Sequence, residues 1–277
     1  MLKRFRHLSP AIKAVVVFII FTILALSVPA FRAPINASGL LAAAAIFYSI
    51  LLGFYIAAAM SNLSRLKTLV ASETGALIAV FHIVQMSLPD RLESTREAID
   101  TYLIKRFEYE VQNYTEPTEG DFFKIFEVLK GAEPKSTGDS SAVNYIAEAE
   151  YYISQARREL TIVGAKIVTS VSWLVLIVLS MVIIVCLFLI QGTTLASHLI
   201  TAMLAASAIS SLFILDDVDG NRFGEDQFAI DTYQDVFRAI GKLPYYPELY
   251  LGAGRYEPTE PEYRIGRRGQ IQIVKHS

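Results

Sequence analysis

The chain has 277 residues, 53% of them hydrophobic and 19% charged, with a formal net charge of −2. Its mean hydropathy is +0.41. Soluble domains carry nearer a quarter charged residues, so an ordinary soluble domain is excluded. The balance of charge also leaves no whole-chain basic field for nucleic acid. The single cysteine, Cys186, excludes an internal disulfide and a cysteine-based metal cluster. It lies in an apolar block and reads as a lipid-facing residue or packing filler.

Crossing a bilayer takes about 20 mainly apolar residues. Four charge-free stretches meet or approach that length: residues 14–30, 39–60, 167–190 and 195–215. The first is the shortest and begins just after Lys13. It also has a rival reading as a cleaved signal, because Lys3, Arg4 and Arg6 precede it and Val28-Pro29-Ala30 resembles a cleavage site. A retained helix is expected, since a second long span follows after a short loop. Lys and Arg flank the cytoplasmic ends of membrane helices. Here Lys3, Arg4, Arg6 and Lys13 precede span one, Arg65 and Lys67 follow span two, and Arg157, Arg158 and Lys166 precede span three. The loop 191–194 has none. Both termini and the middle region are therefore expected on the cytoplasmic side of an inner or plasma membrane. In span four, Ala202, Ala206 and Ser210 are spaced for close helix packing, within one subunit or between subunits. Trp173 and His198 fall where spans meet the interface.

Between spans two and three the apolar period is helical. Residues 63–88 have no breaker before Pro89 and extend span two. Their lone acid, Glu73, reads as a surface residue or as the buried partner of Arg65 or Arg158. Further helices are predicted over 90–114 with Asp90 as cap, over 121–130, and over 142–166 running straight into span three, with a loop at 131–141. The fold class is thus an all-α membrane protein: four transmembrane helices and a helical cytoplasmic region. It divides into a hairpin (1–60), a cytoplasmic helical region (61–166), a second hairpin (167–215), an acidic loop and helix (216–251), and a flexible tail (252–277). Within the tail, 271–274 reads as a short strand, and Arg264, Arg267, Arg268 and Lys275 are either solvated or near lipid headgroups.

No phosphate-binding Gly loop, Gly-x-Ser-x-Gly elbow or His-Glu-x-x-His motif occurs, so neither an enzyme nor a cofactor is expected. One dense polar cluster follows span four: Asp216, Asp217, Asp219, Asn221, Glu225 and Asp226. Tested as a calcium loop from Asp217, it puts Arg222 where glycine is required and Phe228 where the bidentate glutamate belongs. The EF-hand reading fails. A looser cation site and a helix cap both remain open.

Two short strings resemble the bestrophin ion-channel family. Leu52-Gly53-Phe54-Tyr55-Ile56 is similar to the second transmembrane helix of bestrophins, and Asn221-Arg222-Phe223-Gly224-Glu225-Asp226 to the segment after their last span. Arg222 replaces the family's proline, no acidic run follows Asp226, and Ser61 to Arg65 stands where the family carries Arg-Trp-Trp. With Ala71-Ser72-Glu73-Thr74 opening the middle helix, the pattern looks closest to the prokaryotic bestrophin-like proteins. The resemblance implies a pentameric homo-oligomer in the lipid bilayer, passing inorganic ions through a neck lined by Ile46, Ile50 and Phe54. Four-residue steps place those three on one helix face, and apolar rings gate pores by dewetting. The competing expectation is a non-conducting scaffold or sensor whose cytoplasmic helices bind a partner.

Overall fold

The computed structural model describes residues 10–29, 36–109, 113–127, 130, 137–220, 225–248, 251, 258, 260–267 and 270–275. In chain order the described elements are α1 (Pro10–Ser27), α2 (Ala37–Ser87), a 3-10 turn (Pro89–Arg91), α3 (Leu92–Arg106), α4 (Glu119–Phe126), α5 (Thr137–Val163), α6 (Ser170–Leu189), α7 (Leu195–Asp219), α8 (Glu225–Ala239), β1 (Tyr245–Pro247), β2 (Glu262–Arg267) and β3 (Gln270–Lys275). They form two compact units, Met1–Ser61 with Lys166–Phe223 and Asn62–Ala165 with Gly224–Ser277.

In the first unit, α2, α6 and α7 are long and apolar enough to cross a membrane. Helix α1 is apolar but shorter, at 18 residues. Capping residues set where the helices start. Asn36 Oδ1 accepts the Gly39 N–H at 2.9 Å. Thr169 and Thr194 accept from the Ser172 and Ser197 amides, each at 3.2 Å. Each cap satisfies a backbone donor that has no partner in the first helical turn. The core joins Ala44, Tyr48 and Leu52 of α2 to Leu176, Ile183 and Leu187 of α6 and Ala205, Leu212 and Leu215 of α7. Two phenols fix this packing where lipid would leave them unsatisfied. Tyr48 donates to the Ala208 carbonyl at 2.6 Å, and Tyr55 donates to Ser172 Oγ at 2.8 Å. Ala202 and Ala206 are buried, so the small residues of α7 serve packing within the chain.

The second unit encloses an aromatic-rich core with Tyr102, Tyr114, Phe122, Tyr233 and Phe237 fully buried. Leu66, Val70, Leu77, Val80 and Val84 of α2 form its spine and are 0% exposed. Helix α2 runs unbroken to Ser87, as the absence of a breaker before Pro89 predicts. Its 51 residues make it roughly 75 Å long at 1.5 Å per residue.

Several expected boundaries move. Asp90 falls in the 3-10 turn, not at a cap, and no side chain caps α3. Helix α3 stops at Arg106, so Tyr114 approaches the core from a separate turn. Helix α4 begins two residues early and ends at Phe126. Its N-cap hydroxyl, Thr118, donates to the Tyr114 carbonyl at 2.7 Å instead of capping. Helix α5 starts inside the expected loop, at Thr137. It also does not continue into span three. It ends at Val163, before Gly164, and Thr169 adopts extended backbone to cap α6. A β-branched run, Ile167-Val168-Thr169, favours that extended stretch.

The all-α expectation is corrected by a three-stranded sheet ordered β1-β2-β3. Strand β2 pairs parallel to β1 (Tyr246 opposite Ile265) and antiparallel to β3 (Arg264 opposite Ile273). The tail expected to be flexible therefore supplies two strands, and the short strand read at 271–274 is the centre of β3. Gly241, at φ +74°, turns the chain out of α8 in the left-handed conformation glycine tolerates. The buried amide of Gln234 on α8 then pins β1, donating to the Tyr245 carbonyl at 2.8 Å and accepting its N–H at 3.0 Å. Arg264 is neither solvated nor at headgroups. It makes a two-pronged pair with Asp100 of α3 at 2.6 and 2.8 Å, with the two side chains 11% and 10% exposed.

Removing one partner of a buried ion pair strands the other charge and costs about 3–5 kcal/mol. Arg264→Met should therefore lower chemical-denaturation stability by that order. Lys275→Met, which removes a partner 74% exposed, should change it little.

Candidate functional site

Helix α2 carries two opposed stripes in the first unit. Ala44, Tyr48, Leu52 and Ala59 are buried against the chain. Ile46, Ile50 and Phe54, the residues singled out for a neck, are 60%, 64% and 66% exposed, and Phe47 beside them is 63% exposed. Two residues along a helix is a turn of about 200°, so the exposed stripe lies opposite the packed one. The sequence places these side chains on one face, and among the described residues they are mostly exposed, with Phe54 set edge-on to Tyr55 at 5.6 Å between ring centres.

The acidic segment is not a loop where it is described. Asp216, Asp217 and Asp219 occupy the last turn of α7. Asp217 receives Lys13 Nζ at 3.1 Å on both oxygens, with the two side chains 5% and 9% exposed. Asp219 Oδ1 accepts the N–H groups of Ile167 and Val168 at 2.8 and 3.1 Å. Thus Asp219 does act as a backbone cap, but for the strand-like approach to α6 and not for the next helix. Asn221 lies outside the described residues. Glu225 and Asp226 open α8, and their side chains are likewise outside the description. Among the described residues no group of three His, Cys, Asp or Glu side chains is placed to hold a metal.

Lys13 also shows how α1 is held. At its other end, Gln191 Nε2 donates to the carbonyls of Ala25 and Val28 at 3.1 and 3.2 Å. Helix α1 is therefore fastened at both ends to the α6–α7 hairpin. Sequence reasoning assigned Lys13 only to orientation. The signal for its pairing was an acid, Asp217, just beyond the last charge-free stretch.

The second unit holds the other polar constellation. Glu73 is 0% exposed. It is paired with neither Arg65, which binds Glu159 at 2.8 Å, nor Arg158, which is exposed. Three phenols donate to its carboxylate instead: Tyr102 of α3, Tyr114 at 3.2 Å and Tyr233 of α8 at 2.7 Å. Two buried guanidinium groups stand around them. Arg106 stacks on Tyr114 at 3.9 Å from the ring centre, with Tyr233 at 5.2 Å. Arg157 lies over Phe122 at 4.1 Å and donates to the Thr115 carbonyl and Thr118 Oγ1, both at 2.9 Å. Stacking on aromatic faces suits a desolvated guanidinium. A clue to the burial of Glu73 was in the sequence: Leu66, Val70, Glu73, Leu77 and Val80 follow steps of four and three, so the acid sits in the apolar stripe.

Burial, and then the charge of Glu73, push the Tyr102 and Tyr114 phenols well above the ordinary value of 10.0. Burial also raises Tyr233, with the Arg106 charge pulling the other way. Folded-state values above the unfolded one mean the stabilising protonated phenols are fully present below about pH 10. Stability should fall as pH rises beyond that, because the unfolded chain releases protons the core retains. Absorbance titration of tyrosinate should show these three phenols ionising only with unfolding. Tyr233→Phe should cost about 1–3 kcal/mol by leaving part of a buried carboxylate unsatisfied, read by chemical denaturation.

Comparison with known proteins places this geometry. The family model described as the Bestrophin-like domain matches residues 11–217. That stretch takes in α1, the exposed stripe of α2, Glu73 and Asp217. A solved structure titled "Crystal structure of a membrane protein P208A" shares the fold at TM-score 0.51 and 16% identity, over 85% of this chain and 100% of that one. No curated protein matches the chain. With three helices among the described residues long and apolar enough to cross a membrane and a family match over most of its length, the chain belongs to the bestrophin-like family of membrane proteins.

Proposed function

We propose that the protein is an ion-channel subunit that assembles as a homo-oligomer, pentameric by family resemblance, around a pore lined by α2. The observation that carries this reading is the stripe Ile46, Ile50 and Phe54, which is apolar, about two-thirds exposed and opposite the face that α2 buries. Placed around a symmetry axis, it forms rings narrow and dry enough to control ion passage. The family assignment supports the reading.

In this reading α1 is the fourth span. Its fastening through Lys13 and Gln191 at opposite ends supports a retained helix over a cleaved signal. Its 18 residues reach about 27 Å, close to the ~30 Å hydrocarbon core. The lysine and arginine distribution puts both termini and the second unit in the cytoplasm, with the protein in the plasma membrane. The working partners are lipid, inorganic ions and further copies of the chain. No catalytic chemistry is assigned.

A non-conducting scaffold is the competing reading. It draws on Tyr151, Tyr152 and Ile162 of α5, which are 67%, 56% and 74% exposed and suit a docked partner. Recordings from purified protein in planar bilayers separate the two. The channel reading expects unitary currents, enlarged several-fold by Ile50→Ala or Phe54→Ala as the constriction widens. Silence from the wild type and both variants across salts and voltages would sink it, as would a detergent-solubilised mass of one chain.

A further inference from the structure

The two edges of the sheet in the second unit differ. At the β1 edge the outward N–H and C=O of Tyr245 are both taken by the Gln234 amide, at 3.0 and 2.8 Å. A side chain thus stands where a further strand would pair, and β1 itself ends in Pro247. At the other edge, among the described residues, no strand covers β3.

The phase of the hydrogen bonding fixes which groups that open edge presents. The Arg264 N–H donates to the Pro244 carbonyl at 2.7 Å, so the backbone polar groups of Arg264 point toward β1. Directions alternate along a strand, and antiparallel partners alternate between bonded and non-bonded pairs. Tyr263 and Ile265 therefore bond to their partners Val274 and Gln272, whereas Arg264 does not bond to its partner Ile273. Ile271, Ile273 and Lys275 accordingly turn their N–H and C=O groups outward. The side chains of Ile271 and Ile273 share one face and are 50% and 60% exposed.

Free edges are commonly blocked by a charge, a proline or a bulge. The run Gln270-Ile271-Gln272-Ile273-Val274 has neither charge nor proline. Lys275 lies beyond it and is paired with Glu262 at 3.0 Å. Such a run can lie against its own copy without bringing like charges together. An antiparallel register centred on Gln272 sets Ile271 opposite Ile273 of the second copy, and Gln270 opposite Val274. Ile271 and Ile273 are the residues with outward backbone groups, so each pair exchanges two hydrogen bonds. Four isoleucines then meet on one face. Centring on Ile273 instead would set Lys275 against Ile271.

We propose that β3 is a docking edge for β3 of a second copy of this chain, paired antiparallel about Gln272 so that two three-stranded sheets become one of six. The contact is two-fold and self-complementary. A two-fold contact does not close a five-membered ring, so it links one assembly to another. It is separate from the α2 stripe and stands whether or not the pore conducts.

The test is disulfide trapping in the full chain in detergent, with Cys186→Ser to remove the native thiol. At the two-fold centre the Cα atoms of residue 272 are about 4.5 Å apart, within disulfide reach. Those of residue 270 are roughly 14 Å apart, four residues of strand. Mild oxidation of Gln272→Cys should link most chains into reducible dimers on a denaturing gel, and Gln270→Cys should link at least five-fold fewer. Adding Ile273→Pro to Gln272→Cys removes an outward N–H that the β2 pairing does not use, and should cut the yield about ten-fold. Absence of dimers from Gln272→Cys would overturn the proposal, as would equal yields at the two positions or a yield that Ile273→Pro leaves unchanged. Should Ile273→Pro fail to fold, Ile271→Glu with Ile273→Glu, which sets like charges opposite each other at exposed positions, must give the same loss.

Discussion

The second unit is organised by one carboxylate that has no access to water. Glu73 occupies a position in the apolar stripe of α2, where an unpaired charge would be intolerable. Its solution is to collect phenols from three separate parts of the chain: α3, the turn after it, and α8. Satisfying Glu73 thus determines much else. It explains why α3 stops at Arg106, since Tyr114 must arrive from a turn and not from a continuing helix. It explains the two buried arginines, whose charges offset the acid and which stack on Tyr114 and Phe122 within the aromatic core. Thr118 is drawn in as well, giving up its capping position to serve Arg157.

In the first unit the same rule, that buried polar groups must be paired, acts in an apolar setting. Lys13 with Asp217 and Gln191 with the end of α1 fasten the shortest helix to the α6–α7 hairpin. Tyr48 and Tyr55 fasten α2. Every one of these polar contacts lies on the packed side of its helix. The opposite side of α2 is largely exposed among the described residues, which leaves Ile46, Ile50 and Phe54 available for the channel function proposed above.

Much of this was legible from residues alone. Charge-free length marked the spans, uninterrupted periodicity marked α2 through to Ser87, and four-residue steps placed the α2 stripe on one face. The failures share a cause: they depend on partners distant in sequence. Glu73 was weighed against the arginines Arg65 and Arg158, because a charge suggests a countercharge. Its actual partners are tyrosines, up to 160 residues away, that read locally as ordinary apolar-stripe residues. Arg264 looked like part of a solvated basic tail, and only the tertiary fold brings Asp100 to it. The sheet was missed because β1 and β2 are short and separated by a Pro- and Gly-rich stretch, so no alternation accumulates. The acidic segment misled by density: close spacing suggested a shared ligand, whereas the two best-placed acids, Asp217 and Asp219, face different partners.

Whether the α2 stripe faces water in a pore or the tails of lipids can be read directly by cysteine accessibility. Cys186 is 1% exposed and is removed as Cys186→Ser to clear the background. Ile50→Cys is then placed in this chain and treated, in intact membranes, with a charged, membrane-impermeant thiol reagent. A pore-lining stripe predicts modification from the aqueous phase, accompanied by a drop in ionic current. Modification only by a lipid-soluble reagent, with the charged one inert, would place Ile50 against lipid and contradict the pore.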